Sequence, residues 1–245
     1  MVTIPLLGAR PLRFTATAVH LVELFFRRAD VSGDIFPADA ARVSVAGPEP
    51  DRIVVMGERG EISLGVVTNE LSMAGFLARE QHEATGRGVE WSIAVLERDS
   101  VAEGRAAAAR HAVDLARTDL VVLMVGISDA LRLARGARWE RHVRATVEAL
   151  FDELPVDARV AIAEIPPLDN AGSLSRAARI AAGQRAAALN RRTRAVAIDH
   201  PRLVVVPFPT ELTERLWVPQ SEELRYTRTY SVWSRGIVAT LAARA

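Results

Sequence analysis

The chain has 245 residues, 49% of them hydrophobic and 5% aromatic, which is enough for one α/β domain with an aliphatic core. Its 31 Lys and Arg residues balance 30 Asp and Glu residues, and this balance predicts neither a nucleic-acid partner nor attraction to an anionic membrane. The absence of cysteine excludes disulfides, thiolate metal sites and a cysteine nucleophile. Since we find neither a spanning apolar stretch nor a signal peptide, we predict a cytoplasmic protein without an integral membrane segment.

Residues 1–51 are predicted to form an N-terminal helix and a connecting loop. Thr15–Arg28 has apolar residues at three- and four-residue spacings, which predicts a helix. This helix either packs on the domain or forms a dimer or membrane-surface helix, because two phenylalanines precede two arginines at its end. Asp30–Arg52 is rich in Pro, Gly and Asp and predicts a loop, with a short extended piece at Val43–Val45.

From Arg52 to Ala245 short apolar strands alternate with helices. The strands are predicted at Arg52–Met56, Val89–Val95, Asp119–Val125, Arg159–Ile165 and Arg202–Val206. The helices are predicted at Asn69–Glu83, Val101–Arg117, Arg138–Leu154, Ser173–Ile198 and about Tyr230–Arg244. Such alternation predicts a parallel sheet covered by helices on both faces, and right-handed crossovers favour a doubly wound order.

The first strand of this region ends at Gly57, and the loop Gly57–Gly65 follows it. Because α/β folds keep their sites at the carboxyl ends of the strands, we expect any chemistry at this loop. Its glycine spacing fits neither the phosphate-binding loop nor the dinucleotide fingerprint, so no nucleotide cofactor is predicted. The histidines lack a second ligand at metal-binding spacing, so no metal site is predicted either.

The order and spacing of these elements resemble the SGNH (GDSL) hydrolases, a family of esterases, lipases and acyltransferases. The features that carry the resemblance are Gly126-Ile127-Ser128-Asp129 after the third strand and a C-terminal loop that leads into a helix with Tyr230 and Trp233. The resemblance covers roughly residues 52–245. It implies an SGNH-hydrolase-like domain with a flavodoxin-like, doubly wound, five-stranded parallel sheet in an α/β/α sandwich.

The family's first two motifs are altered in this chain. Where the family has Gly-Asp-Ser, with serine as the nucleophile, the aligned residues are Gly57, Glu58 and Arg59. The guanidinium of Arg59 stays protonated and cannot attack an acyl carbon. The second motif supplies a glycine whose N–H stabilises an oxyanion, and the matching segment Glu97–Ser100 contains no glycine.

The later motifs are altered as well. In the Gly-x-Asn-Asp motif, Gly126 and Asp129 are kept while Ser128 replaces the asparagine donor. The Asp-x-x-His-Pro motif aligns with Ser221 and Leu224, and no histidine follows His200, so the family's general base is missing.

Three hypotheses follow from these substitutions. The first is a divergent, inactive member of the family with a binding or assembly role, which takes a small acyl or anionic ligand and acts as a homo-oligomer or beside an active relative. The second is an active esterase or acyltransferase whose nucleophile has moved to Ser63, with Glu58, Glu61 or Asp129 as base. The third, a doubly wound nucleotide or phosphate binder unrelated to the esterases, ranks last because the chain has no phosphate loop.

Overall fold

The structure, a computed structural model, describes residues 35–170, 175–213 and 226–244. The predicted helix Thr15–Arg28 lies outside these ranges, as do Ser221 and Leu224 of the last motif. None of the helices inside these ranges has the length and apolar character needed to cross a membrane. The division into residues 1–51 and 52–245 stays a prediction.

The described residues contain one six-stranded sheet. Its strands are β1 (Arg42–Val45), β2 (Asp51–Glu58), β3 (Val89–Leu96), β4 (Leu120–Met124), β5 (Arg159–Ala163) and β6 (Leu203–Val206). They are arranged in the order β1-β3-β2-β4-β5-β6, and all neighbours pair in parallel except β1 with β3. The prediction of a five-stranded parallel sheet therefore missed one strand, β1, which lies at the edge of the sheet and is antiparallel to β3.

The helices cover both faces of the sheet. They are α1 (Arg59–Ser63), α2 (Met73–Thr85), α3 (Gly104–Arg110), α4 (Ala112–Leu115), α5 (Ile127–Leu131), α6 (Gly136–Glu153), α7 (Arg176–Ile198) and α8 (Thr227–Ala242), with short 3-10 turns at Asn69–Leu71, Val101–Glu103, Leu168–Asn170 and Thr210–Leu212. Helices α3 to α7 bury their apolar side chains on one face, and α1, α2 and α8 bury theirs on the other.

Two helical predictions need correction. The predicted loop Gly57–Gly65 contains α1, because its glycines do not interrupt the one helical turn that carries Glu61 and Ile62 inward. The predicted helix Val101–Arg117 is a 3-10 turn followed by α3 and α4, which meet at His111, where the backbone (φ −105°, ψ 13°) leaves the helical region.

The strands alternate their side chains between two cores. Val54 and Met56 pack on the face covered by α3 to α7, whereas Ile53 and Val55 pack on the other face. A strand that is covered on both sides buries successive residues, which is why it reads as a continuous apolar run.

The carboxyl ends of β2 and β4 lie side by side at the point where the strand order reverses, since the crossovers from these two strands lead in opposite directions across the sheet. Doubly wound folds bind their ligands at such a point. Gly57 pairs in register with Met124, and a Cβ on Gly57 would lie 1.9 Å from the Met124 carbonyl oxygen. Only glycine therefore fits at this position.

Candidate functional site

The end of β2 carries a buried carboxyl group that binds the loop after β4. The carboxylate of Glu58 accepts hydrogen bonds from the N–H of Gly126 at 2.6 Å and from the N–H of Ser128 at 3.0 Å. Glu58 therefore joins the two loops that the sequence places at the candidate site.

A second buried carboxyl group lies on α1, directly beside the first. Glu61 accepts the N–H of Ile127 at 2.9 Å, so two glutamates together bind the N–H groups of residues 126, 127 and 128. These three N–H groups lie at the start of α5, where negative charge is favoured.

Burial sets the protonation of both glutamates. Loss of solvent raises the pKa of Glu58 to about 7, although the hydrogen bonds from Ser128 and Gly126 oppose the shift. Burial, and then the charge of Glu58, raises the pKa of Glu61 well above its usual value. Near neutral pH the two groups therefore carry less than their full negative charge together.

Arg59, at the position that aligns with the family's nucleophile, is an exposed cation. Its guanidinium lies over the ring of Phe36, 4.3 Å from the ring centroid, in a cation–π contact. This contact orders the side chain, which has no nucleophilic atom at working pH.

Ser63, the alternative nucleophile, is buried on α1. Its hydroxyl donates to the carbonyl of Arg59 one turn earlier, at 3.3 Å. Within the described hydrogen bonds no carboxylate accepts from Ser63, because Glu58 and Glu61 bind the start of α5 and Asp129 binds elsewhere. The structure does not bring Ser63 together with the bases proposed for it.

Asp129 binds the segment after β3. One carboxylate oxygen accepts from the hydroxyl of Ser100 at 3.0 Å, and the other accepts from the N–H of Val101 at 3.0 Å. Ser100 in turn accepts the N–H of Ala102 at 3.3 Å, so Ser100 and Asp129 together cap the 3-10 turn. Sequence reasoning missed Ser100 as a polar partner; the only signal was a serine directly before a helical turn.

The C-terminal helix is bound to the end of α1. The hydroxyl of Tyr230 on α8 donates to the carbonyl of Leu64 at 3.0 Å, and burial raises the pKa of this phenol. Trp233 is also buried and makes an edge contact with Phe208. The two aromatic residues that carried the family resemblance are thus core residues of α8.

Solved structures share the fold of this chain. TesA aligns with a TM-score of 0.62 at 18% identity, over 80% of this chain and 100% of TesA. The lipase Lip_vut3 from a goat rumen metagenome aligns with a TM-score of 0.61 at 12% identity, over 80% of this chain and 97% of the lipase. Phospholipase A1 from Streptomyces albidoflavus NA297 aligns with a TM-score of 0.51 at 14% identity, over 80% of this chain and 100% of the phospholipase.

The fold is that of the SGNH hydrolases. This confirms the resemblance drawn from the sequence, and it replaces the predicted five-stranded sheet by a six-stranded, mostly parallel one. Neither protein-family models nor curated proteins give a match. At identities this low the structural likeness establishes the fold and not the chemistry.

Proposed function

We propose that this chain is a cytoplasmic binding or assembly protein on the SGNH-hydrolase fold that does not hydrolyse esters by the serine route. The observation that carries the proposal is the pair of buried carboxyl groups of Glu58 and Glu61 on the N–H groups of residues 126–128. Arg59, beside them, supplies no nucleophile.

The occupied N–H groups matter because ester hydrolysis passes through an oxyanion. Such an oxyanion needs free hydrogen-bond donors, and the loss of one donor typically costs about 2.7–4 kcal/mol of transition-state stabilisation. At the start of α5 these donors are bound to Glu58 and Glu61, and any remaining charge on the glutamates would repel the oxyanion. Charge and hydrogen bonding therefore both oppose acyl transfer at this edge.

The test combines short-chain p-nitrophenyl esters with a fluorophosphonate probe that labels activated serines. We expect no turnover above the buffer rate and no stoichiometric labelling. The variants Ser63→Ala and Ser100→Ala accompany the wild-type protein, so that any labelling can be assigned. Stoichiometric labelling that one of these substitutions abolishes would overturn the proposal.

An active esterase or acyltransferase is the second candidate function. One contact supports it with a different nucleophile from the one predicted from the sequence. Ser100, rather than Ser63, has a carboxylate within hydrogen-bond distance, since its hydroxyl lies 3.0 Å from Asp129. A serine needs a base at such a distance to be activated. The labelling experiment distinguishes the two candidate nucleophiles. Loss of labelling in Ser63→Ala supports Ser63, the relocated nucleophile of the sequence prediction, and loss of labelling in Ser100→Ala supports Ser100.

The assembly role is either that of a homo-oligomer or that of a partner for an active relative. Light scattering coupled to size exclusion measures the mass of the isolated chain. A mass above that of the monomer, 26.6 kDa, supports self-assembly. A monomer leaves the pairing with a relative, which co-expression tests.

A further inference from the structure

A cavity of about 460 Å³ opens beside the candidate site, between the turn after β3 and the segment that joins α5 to α6. Ser100 and Asp129 form part of its wall. Four arginines, Arg132, Arg135, Arg138 and Arg141, also line it, together with His142.

The lining of this cavity carries an excess of positive charge. Four guanidinium groups face a single carboxylate, Asp129, whose two oxygens already accept from Ser100 and Val101. The whole chain has a net charge of only +1, so this is a local concentration of positive charge. Low-dielectric walls around such a concentration strengthen the attraction for an anion.

The arginines of the cavity differ from their neighbours in pairing. In the described part of the chain Arg135, Arg138 and Arg141 form no ion pair. In contrast Arg144, three residues further along α6, pairs with Asp199 at 2.8 Å. Among the described residues no carboxylate therefore neutralises these three guanidinium groups of the cavity lining.

Three hydrogen bonds hold two of the arginines, Arg132 and Arg138, in place around the cavity. Arg132 donates to the carbonyls of Asp99 at 3.0 Å and Arg98 at 3.2 Å. Arg138 donates from Nε to Nε2 of His142 at 3.3 Å. Burial, followed by the charge of Arg138, lowers the pKa of His142, which favours the neutral imidazole that can accept this bond.

We propose that this cavity binds a phosphate group, either as the free anion or as part of a small organic phosphate. Guanidinium groups bind phosphate oxygens through paired, charge-assisted hydrogen bonds, and several arginines around one cavity, none of them in a described ion pair, suit its multiple charge. The volume lies within the range of small-molecule sites. The inference specifies the ligand of the proposed binding role and rests on it.

The test is calorimetric titration of the full chain with inorganic phosphate and with phenyl phosphate. The double variant Arg138→Gln/Arg141→Gln removes two exposed guanidiniums, and we expect it to weaken binding about tenfold or more, because hydrogen bonds to charged groups are strong. The control is Arg105→Gln/Arg191→Gln, which removes the same charge at exposed positions outside the cavity and should leave the affinity nearly unchanged. Tighter binding of phenyl phosphate would identify an organic phosphate as the ligand, and equal binding the free anion.

Two results would overturn the proposal: no heat of binding for either probe to the wild-type protein, or equal weakening in the two double variants, which would indicate general surface charge. The ester and fluorophosphonate assays on the same proteins separate this inference from the proposed function. If serine is labelled and phosphate still binds, only the proposal that the chain does not hydrolyse esters is refuted. If phosphate does not bind and no serine is labelled, only the proposal that the cavity binds phosphate is refuted.

Discussion

At the scale of single residues, Glu58 and Glu61 distinguish this site from a polar cleft open to water. Glutamate is seldom fully buried, because burial removes its hydration. Here the N–H groups of residues 126–128 replace part of that hydration. The sequence alone did not predict this, since a glutamate after a strand has the same one-letter pattern whether it faces solvent or the interior.

The raised pKa of Glu58 predicts that stability depends on pH. In the folded protein burial raises the pKa of this carboxyl group to about 7, compared with an ordinary value of 4.5. Its contribution to the free energy of unfolding is therefore complete below pH 4.5 and is lost as the pH rises to about 7. For a shift of this size the free energy of unfolding decreases by roughly 3 kcal/mol over that range. Urea unfolding at a series of pH values measures this slope.

The variant Glu58→Gln cannot ionise at this position, so we expect its unfolding free energy to fall less over the same pH range. Glu61 still contributes part of the slope, because its pKa is also raised. The exposed Glu148→Gln removes one charge far along α6 and serves as the control. Identical slopes in wild-type and Glu58→Gln proteins would contradict the prediction.

The close approach of β4 to Gly57 predicts that a side chain at this position destabilises the protein. A methyl group there would lie 1.9 Å from a backbone oxygen of β4, so the two strands would have to separate. We expect Gly57→Ala to reduce the free energy of unfolding by about 3 kcal/mol or more, the upper range for an overpacked site. Denaturant unfolding measures the change.

Gly60 is the matched control, because a Cβ there meets nothing within 4 Å and the residue lies inside α1. Gly60→Ala should be neutral or stabilising by about 0.5–1 kcal/mol, since alanine is the better helix former. Equal effects of the two substitutions would show that the close approach of β2 and β4 is not what requires glycine.

At the scale of elements, α8 fixes α1 through one hydrogen bond between residues far apart in the chain. Tyr230→Phe keeps the ring and removes the hydroxyl, which leaves the Leu64 carbonyl without this donor. We expect a loss of about 1–2 kcal/mol in unfolding free energy. Ser63→Ala removes a hydroxyl whose hydrogen bond, among the described residues, stays within α1, and it should cost less than about 0.5 kcal/mol.

The elements themselves differ in how well the sequence predicts them. Strands β2, β4, β5 and β6 were predicted because burial on both faces makes them largely apolar runs, as in Leu120–Met124, and β3 was predicted from its apolar residues although Glu90 and Ser92 interrupt them. β1 showed only Val43 and Val45 facing inward, too little to distinguish an edge strand from an extended loop. The link between Ser100 and Asp129 depends on the pairing of distant strands, which no local pattern contains.

At the scale of the whole molecule, one sheet separates two apolar cores. Trp139 belongs to the core under α3 to α7, and Trp233 to the core under α2 and α8. Every parallel strand contributes to both cores, since its side chains alternate between the faces. Neither core can therefore lose its packing without loosening the strands that the other uses.

This shared sheet predicts that damage to one face unfolds both together. Leu77 on α2 is 1% exposed, and Leu77→Ala should cost about 2–5 kcal/mol. Fluorine NMR of fluorotryptophan-labelled protein follows Trp139 and Trp233 separately during urea unfolding, with resonances assigned from the Trp→Phe variants. Because the two faces share their strands, we expect both resonances to shift to the same lower midpoint in Leu77→Ala. A Trp139 transition that stays at its wild-type midpoint while that of Trp233 moves would mean that the two faces unfold independently.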